Sequence, residues 1–188
     1  MADDPSNPDL PLEMQGLLLL ADPSLRDSTF HRSVILVAEH KVDEGAYGLI
    51  LNHPTGKKVG DFLKGDDFAS LRQLAVHEGG PVARDQLTFS SFWWSKKQGL
   101  RWTLRISAED AVKHARLPGR IVRAFVGYSG WTAGQLENEI RRGSWVASSA
   151  HRDLLGRDHD ISLWAAFIGR LSPLYRILAF APDDPSLN

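Results

Sequence analysis

Four short apolar runs, each ended within a few residues by glycine, proline or a charged side chain, constrain this chain most. They are Leu17 to Leu20, Val34 to Val37, Leu49 to Leu51, and Ile121-Val122, which resumes after Arg123 as Ala124-Phe125-Val126. Runs this short and this rich in branched residues predict central strands covered on both faces. Leu100, Trp102, Leu104 and Ile106 instead alternate with Arg101, Thr103 and Arg105, the pattern of a half-exposed strand.

Helix starts are signalled by caps. Ser107 precedes Glu109 and Asp110, acids where the helix dipole favours them. Thr132 and Gln135 have capping-box spacing, with Trp131 and Leu136 at the staple positions and Gly143 where that helix should stop. Asp160 caps a third helix, in which Trp164, Phe167, Ile168 and Leu171 form one stripe. A weaker pattern over 66–76, with Phe68, Leu71 and Ala75 in phase, predicts a fourth. The short link from Glu39 to Ala46 predicts a hairpin. The expected fold is α+β or α/β: a single domain over 12–181 with a mixed, partly barrel-like sheet flanked by helices. A flexible lead-in over 1–11 and a flexible tail over 182–188, both rich in proline and aspartate, complete the chain.

Composition removes several chemistries. The 188 residues contain no cysteine, which excludes disulfides, thiolate catalysis and cysteine metal sites. A net charge of −1 supplies no global basic surface for nucleic acid. The acidic start is no secretory signal, and no apolar run approaches a membrane span, so the expected location is the cytoplasm.

Three blocks carry a family resemblance. The first runs from Gly16 through Ala21-Asp22-Pro23, Arg32-Ser33-Val34 and Glu39-His40 to Gly45-Ala46-Tyr47-Gly48 and Asn52. The second is Gly79-Gly80-Pro81-Val82. The third is Gly127-Tyr128-Ser129-Gly130-Trp131 with Gly134-Gln135-Leu136-Glu137-Asn138-Glu139, then Gly143 and Trp145. In this order they resemble the YqgE/AlgH family over roughly residues 16 to 170. The resemblance implies a bacterial cytoplasmic α/β protein, one branch being linked by name to alginate regulation, and it implies no established activity. Two departures stand out: His53, where that family usually has arginine, and the ending from Leu174 to Asn188.

Apparent catalytic motifs have plainer explanations. The serine in Gly127-Tyr128-Ser129-Gly130-Trp131 lacks the second glycine of a nucleophile elbow, because Trp131 occupies that place. Glu137 and Glu139 point to different sides of a helix and are expected to pair with Arg141 and Arg142. The run containing His151, Asp153, Asp158, His159 and Asp160 fits no metal-ligand spacing and reads as a capping loop. Adjacent Trp93 and Trp94 should place one ring inside and one outside, marking a surface for a partner chain.

No catalytic residue, metal or cofactor is assigned. The reading that accounts for the residues best is a non-enzymatic binding or regulatory domain, taking a small anionic ligand or a protein partner. Its candidate ligand contacts are Gly130, Thr132, Gly134 and Gln135, at a helix start with unpaired N–H donors, together with Arg32 and His40. For Arg32 an ion pair with Asp27 competes with anion binding. The alternative is an enzyme of unassigned type, using Arg32, Glu39 and His40 near the turn from Gly127 to Gln135. A transcriptional regulator, acting indirectly or through DNA, comes third.

Overall fold

All four apolar runs are strands; alternate residues along the first three feed two cores on opposite faces of one sheet, and the fourth feeds one of these and a third core. The computed structural model describes residues 13–180; the expected lead-in over 1–11 and tail over 182–188 lie outside the described residues. The strands are β1 (Leu17–Ala21), β2 (Val34–Lys41), β3 (Gly45–Ile50), β4 (Pro54–Lys58), β5 (Ala75–Glu78), β6 (Val82–Ser95), β7 (Gly99–Ile106), β8 (Arg120–Trp131) and β9 (Trp145–Ser149). The helices are α1 (Val59–Phe62), α2 (Ala108–Ala115), α3 (Gln135–Arg141), α4 (Ile161–Ile168) and α5 (Pro173–Phe180).

Leu18, Leu20, Val34, Leu36, Leu49 and Leu51 face one way and meet Trp164, Phe167 and Ile168 of α4. Leu19, Ala21, Ile35, Val37 and Ile50 face the other way and meet Trp131, Leu136 and Trp145. Central strands buried on both sides cannot alternate in polarity, which is why these runs are continuous. A third core gathers Val76, Phe89, Val122 and Ala124 beneath Ala111 of α2.

The nine strands form a mixed sheet in the order β4-β5-β8-β3-β2-β1-β9, with β6 joined to both β7 and β8. Pairing is antiparallel except between β5 and β8, which run parallel. The fold is α+β, and the sheet is open rather than closed into a barrel, because β4 and β9 end its path.

Three elements differ from the sequence reading, the simplest being α4, which stops at Ile168 and leaves Leu171 outside the helix and exposed. Residues 66–76 form a short 3-10 turn (Asp66–Leu71) and then enter β5, because Val76 is taken up by parallel pairing with Ala124 of β8. Helix α3 begins at Gln135, with Gly134 (φ 75°) rather than Thr132 at its cap. Strand β8 stays paired through Trp131, opposite Ala46, so the chain must turn before the helix can start. The other half of the expected box survives: the Thr132 N–H donates to Gln135 Oε1 at 3.1 Å.

Gly79-Gly80 does more than turn the chain. Strands β3 and β8 pair at Ala46, Tyr47 and Gly48, then separate, and Gly79 enters the gap. Its carbonyl accepts from Ile50 N (2.9 Å) and Ser129 Oγ (3.1 Å), and its N–H donates to Val126 O (2.8 Å). A Cβ on Gly80 would lie 2.3 Å from the Tyr128 carbonyl carbon, so two backbones pass closer than any side chain permits.

Candidate functional site

Several irregularities of the sheet lie around one recess. Strand β6 loses register with β8 between Val82 and Leu87, and with β7 between Phe89 and Ser91. Ala83 (φ 52°) and Arg105 (φ 51°) both adopt left-handed backbone, and Gly127 (φ 70°) faces them. Such conformations cost on the order of 1–3 kcal/mol each for a residue with a side chain, and they gather where function uses them. The recess holds about 280 Å³, near the lower limit for a small-molecule site, and is lined by Tyr47, Ala83, Gln86, Thr88, Arg105, Gly127 and Tyr128.

Its chemistry comes from a stack. The Tyr47 and Tyr128 rings lie 4.9 Å apart at 28°, and the Arg105 guanidinium sits 4.7 Å from the Tyr47 ring centre. Arg105 Nη2 donates to Glu39 Oε1 at 2.7 Å. A guanidinium carries five N–H donors and this contact uses one, so Arg105 keeps donors for a carboxylate or phosphate. Burial raises the Tyr47 phenol above its ordinary pKa, keeping it neutral and able to donate. Tyr47 also lines a second recess of about 250 Å³ with Glu39, His40, Lys41, Glu44, Gly45, Ala46 and Trp131.

His40 is buried behind this wall, and both of its ring nitrogens are occupied. Nδ1 accepts from Met14 N at 3.4 Å, which places the proton on Nε2, where it donates to Glu137 Oε1 at 2.8 Å. Glu137 thus reaches across to β2, where an ion pair with Arg141 on its own helix was expected. Glu139 likewise abandons Arg142. Its Oε2 accepts from both indoles, Trp131 (2.9 Å) and Trp145 (2.8 Å), while Oε1 accepts from the Gln135 amide (2.9 Å). One carboxylate therefore ties α3 to β8 and β9. Glu139→Ala is expected to leave two indole donors without acceptors and to cost about 2–4 kcal/mol, read as a lower denaturation midpoint. A midpoint matching the wild type would contradict this role.

The remaining sequence candidates fall elsewhere. Thr132 directs both its N–H and its hydroxyl at Gln135 Oε1. Gly134 forms the α3 cap, and exposed Gly130 pairs with Tyr47 across the β3–β8 ladder. Arg32 (φ 51°) lies with its guanidinium 5.4 Å from the Trp164 ring centre. Its carbonyl accepts from Asn52 Nδ2 (2.9 Å), while Asn52 Oδ1 accepts from Val34 N (2.7 Å), so Asn52 pins the start of β2. Asp27 accepts from the Thr29 and Phe30 amides, closing the turn before Arg32. Burial lowers the pKa of His53, so the residue in the usual arginine place is a neutral ring rather than a cation.

The acidic and histidine-rich loop is held by internal bonds. Asp153 accepts from Arg157 Nε (3.1 Å) and Arg170 Nη2 (2.5 Å), and the hydrogen bond from Arg170 leads in holding its pKa near 2. His159 Nε2 donates to Leu154 O (3.0 Å), and His77 Nε2 donates to His159 O (3.0 Å). Burial, aided by nearby Arg123, holds the His159 pKa down to about 3 and also lowers that of His77. Trp93 and Trp94 are both half-buried, in place of the expected one in and one out. Arg120 covers the Trp93 ring at 3.9 Å, and Trp94 packs on the core through its inner edge.

Arg105, Gln86 and Thr88 were not singled out in the sequence, because nothing in the β7 alternation separates Arg105 from Arg101. Tyr47 and Tyr128 were visible only as members of the first and third blocks. The β3–β8 ladder sets Gly130 opposite Tyr47, and Tyr128, two residues earlier on β8, stacks on Tyr47 diagonally across it, a contact no local pattern announces.

Comparison with known proteins agrees with the topology. The sequence profile of the AlgH-like family matches residues 18–176. A UPF0301 protein of Bacteroides fragilis, BF2109, is 32% identical over 185 residues, covering 93% of this chain and 91% of the relative. The UPF0301 protein SCO2948 of Streptomyces coelicolor is 33% identical over 187 residues, 93% of this chain and 95% of its own. The crystal structure of DIP2367 from Corynebacterium diphtheriae superposes with a TM-score of 0.72 at 21% identity, over 90% of this chain and 93% of that one. The solution structure of AlgH from Pseudomonas aeruginosa gives 0.65 at 23% identity, over 95% and 100%. These relatives' names assign no reaction. With its three sequence blocks, its mixed open sheet and a profile match over most of its length, the chain belongs to the AlgH-like family.

Proposed function

We propose that this protein is a cytoplasmic, non-enzymatic binding domain whose ligand is a small anion with a flat apolar body, such as an aromatic carboxylate. The observation that carries this reading is the stack of Tyr128, Tyr47 and Arg105 at the edge of a 280 Å³ recess. Aromatic faces take the flat body, and the guanidinium takes the anion through its open donors. This moves the ligand contact from the Thr132 helix start, whose donors are directed at Gln135, to the strand just before it. Helix α3 is also too short to serve as an anion site by its N-terminus alone. No helix among the described residues is long and apolar enough to cross a membrane, which is compatible with the proposed location.

The enzyme alternative has proximity in its favour, since Glu39 and His40 do lie beside the 127–135 turn. A general base needs a free nitrogen facing the cleft, however, and both nitrogens of His40 are bound to Met14 and Glu137. A thermal-shift panel of benzoate, acetate, inorganic phosphate and a neutral benzamide tests the proposal. At 100 times its dissociation constant a ligand stabilises by about 2.7 kcal/mol, several degrees for a chain of this size. Benzoate should exceed acetate and benzamide, and Arg105→Ala should abolish its effect. Equal responses from benzoate and benzamide, or a response untouched by Arg105→Ala, would count against it.

A further inference from the structure

The ion pair at the tyrosine stack joins strands that are not neighbours. Arg105 comes from β7 and Glu39 from β2, which β6, β8 and β3 separate in the sheet. Glu39 is the cross-strand partner of Tyr47, placed there by the register shift after Val37. Side chains paired in this way share one face, so the carboxylate, the Tyr47 ring and the guanidinium lying over it form one cluster. Both charged side chains are half exposed, 51% for Arg105 and 52% for Glu39, so water screens their contact and leaves it open to exchange. Other charges nearby have partners of their own. Lys41 Nζ donates to both Glu44 oxygens (2.9 and 2.8 Å), and Arg84 pairs with Glu78 at 2.8 Å. The charges that a ligand meets at the stack are therefore one guanidinium and one carboxylate. They cancel. A simple anion on Arg105 would set two carboxylates beside one cation, a like-charge contact at close range. A ligand that brings its own cation restores the balance.

We propose that the ligand of the stack is a zwitterion with a flat apolar side chain, an aromatic α-amino acid. This rests on the binding reading above and narrows it from aromatic anions in general. The ligand carboxylate takes the open donors of Arg105, and its ammonium takes Glu39 Oε2, since the bond from Arg105 uses Oε1. An α-carbon holds ammonium and carboxylate on neighbouring atoms, which suits two side chains that are themselves 2.7 Å apart. The ring enters the 280 Å³ recess beside Tyr128, where Gln86 and Thr88 add neutral polar side chains.

The test is an NMR titration of the ¹⁵N-labelled full chain with four compounds. They are L-phenylalanine, 3-phenylpropionate (no ammonium), phenethylamine (no carboxylate) and glycine (no ring). Phenylalanine should shift the amides of Glu39, Tyr47, Gly127 and Tyr128 and bind at least roughly tenfold more tightly than each of the others. Glu39→Gln, an exposed change in a variant whose spectrum shows it folded, should bring phenylalanine down to the affinity of phenylpropionate. Phenylpropionate itself should bind that variant no more weakly than wild type, a split that a merely structural role for Glu39 would not produce. Equal affinities for phenylalanine and phenylpropionate in the wild type would overturn the proposal and leave the aromatic-anion reading standing. Phenylalanine binding untouched by Glu39→Gln would do the same. Glycine binding as tightly as phenylalanine would overturn it too, because the ring would then add nothing. No shifts at the stack from phenylalanine or phenylpropionate at millimolar concentration would overturn both the proposal and the reading it rests on.

Discussion

Gly45→Ala is expected to prevent stable folding. A Cβ on Gly45 would stand 2.0 Å from the Trp131 carbonyl oxygen and 2.9 Å from the Thr132 carbonyl carbon, both backbone atoms. The position also has φ +105°, which L side chains rarely adopt. Neither backbone is free to yield. Gly45 is paired with Lys41 in the β2–β3 hairpin, Trp131 is paired with Ala46, and the Trp131 indole is tied to Glu139. Overpacking typically costs about 1–3 kcal/mol and the backbone strain a similar amount, giving roughly 2–6 kcal/mol in all. That approaches the whole stability of an ordinary domain. Gly156→Ala is the control, because nothing lies within 4 Å of its added Cβ and its φ is not positive. Denaturant unfolding should find the control close to wild type and Gly45→Ala largely unfolded or insoluble. Equal midpoints for the two variants would show that the β3–β8 seam is looser than described.

Acid should destabilise the fold well before its carboxylates protonate. His159 is buried as a neutral ring with a pKa near 3, against 6.5 in a free chain. Between those values the unfolded chain takes up a proton that the folded chain refuses. Stability is therefore complete above about pH 6.5 and is lost as the pH falls toward 3. At pH 5 this single ring accounts for about 2 kcal/mol, or roughly 4–8 °C in melting temperature for a chain of this size. His77 and His53, both lowered by burial, act in the same direction. His159→Gln keeps a donor for Leu154 O and removes the titrating ring, so its stability should change less between pH 7 and pH 5. A wild-type midpoint unchanged over that interval would mean that the loop around His159 opens to water.

Much of this architecture was legible because the physics was local. Continuous apolar runs declared β1, β2, β3 and β8, and Ser107 and Asp160 capped α2 and α4 as their side chains allow. Gly143 (φ 76°) follows α3 in the left-handed conformation that ends helices. What stayed hidden depends on partners distant in sequence. The helical pattern expected over 66–76 breaks off where Ala75 enters β5 and pairs in parallel with β8, and β6 alternates poorly because its bulge resets which side faces inward. The candidate site was half visible. Its third block was marked as the place to look, but it is Tyr128, not Thr132, that stacks on Tyr47, and Arg105 arrives from a strand that announces only exposure. Glu137 and Glu139 had nearby arginines on their own helix, and the structure uses them across the fold instead, with His40 and with two tryptophans.

The binding reading is tested most directly by titrating benzoate into ¹⁵N-labelled wild type and Arg105→Gln. The account predicts shifts at the amides of Tyr47, Thr88, Gly127 and Tyr128 in the wild type, and at least roughly tenfold weaker binding in the variant, as expected when a charge-assisted bond to an anion is lost. Shifts centred on residues 132–135, or an affinity indifferent to Arg105, would contradict it and return the search to the start of α3.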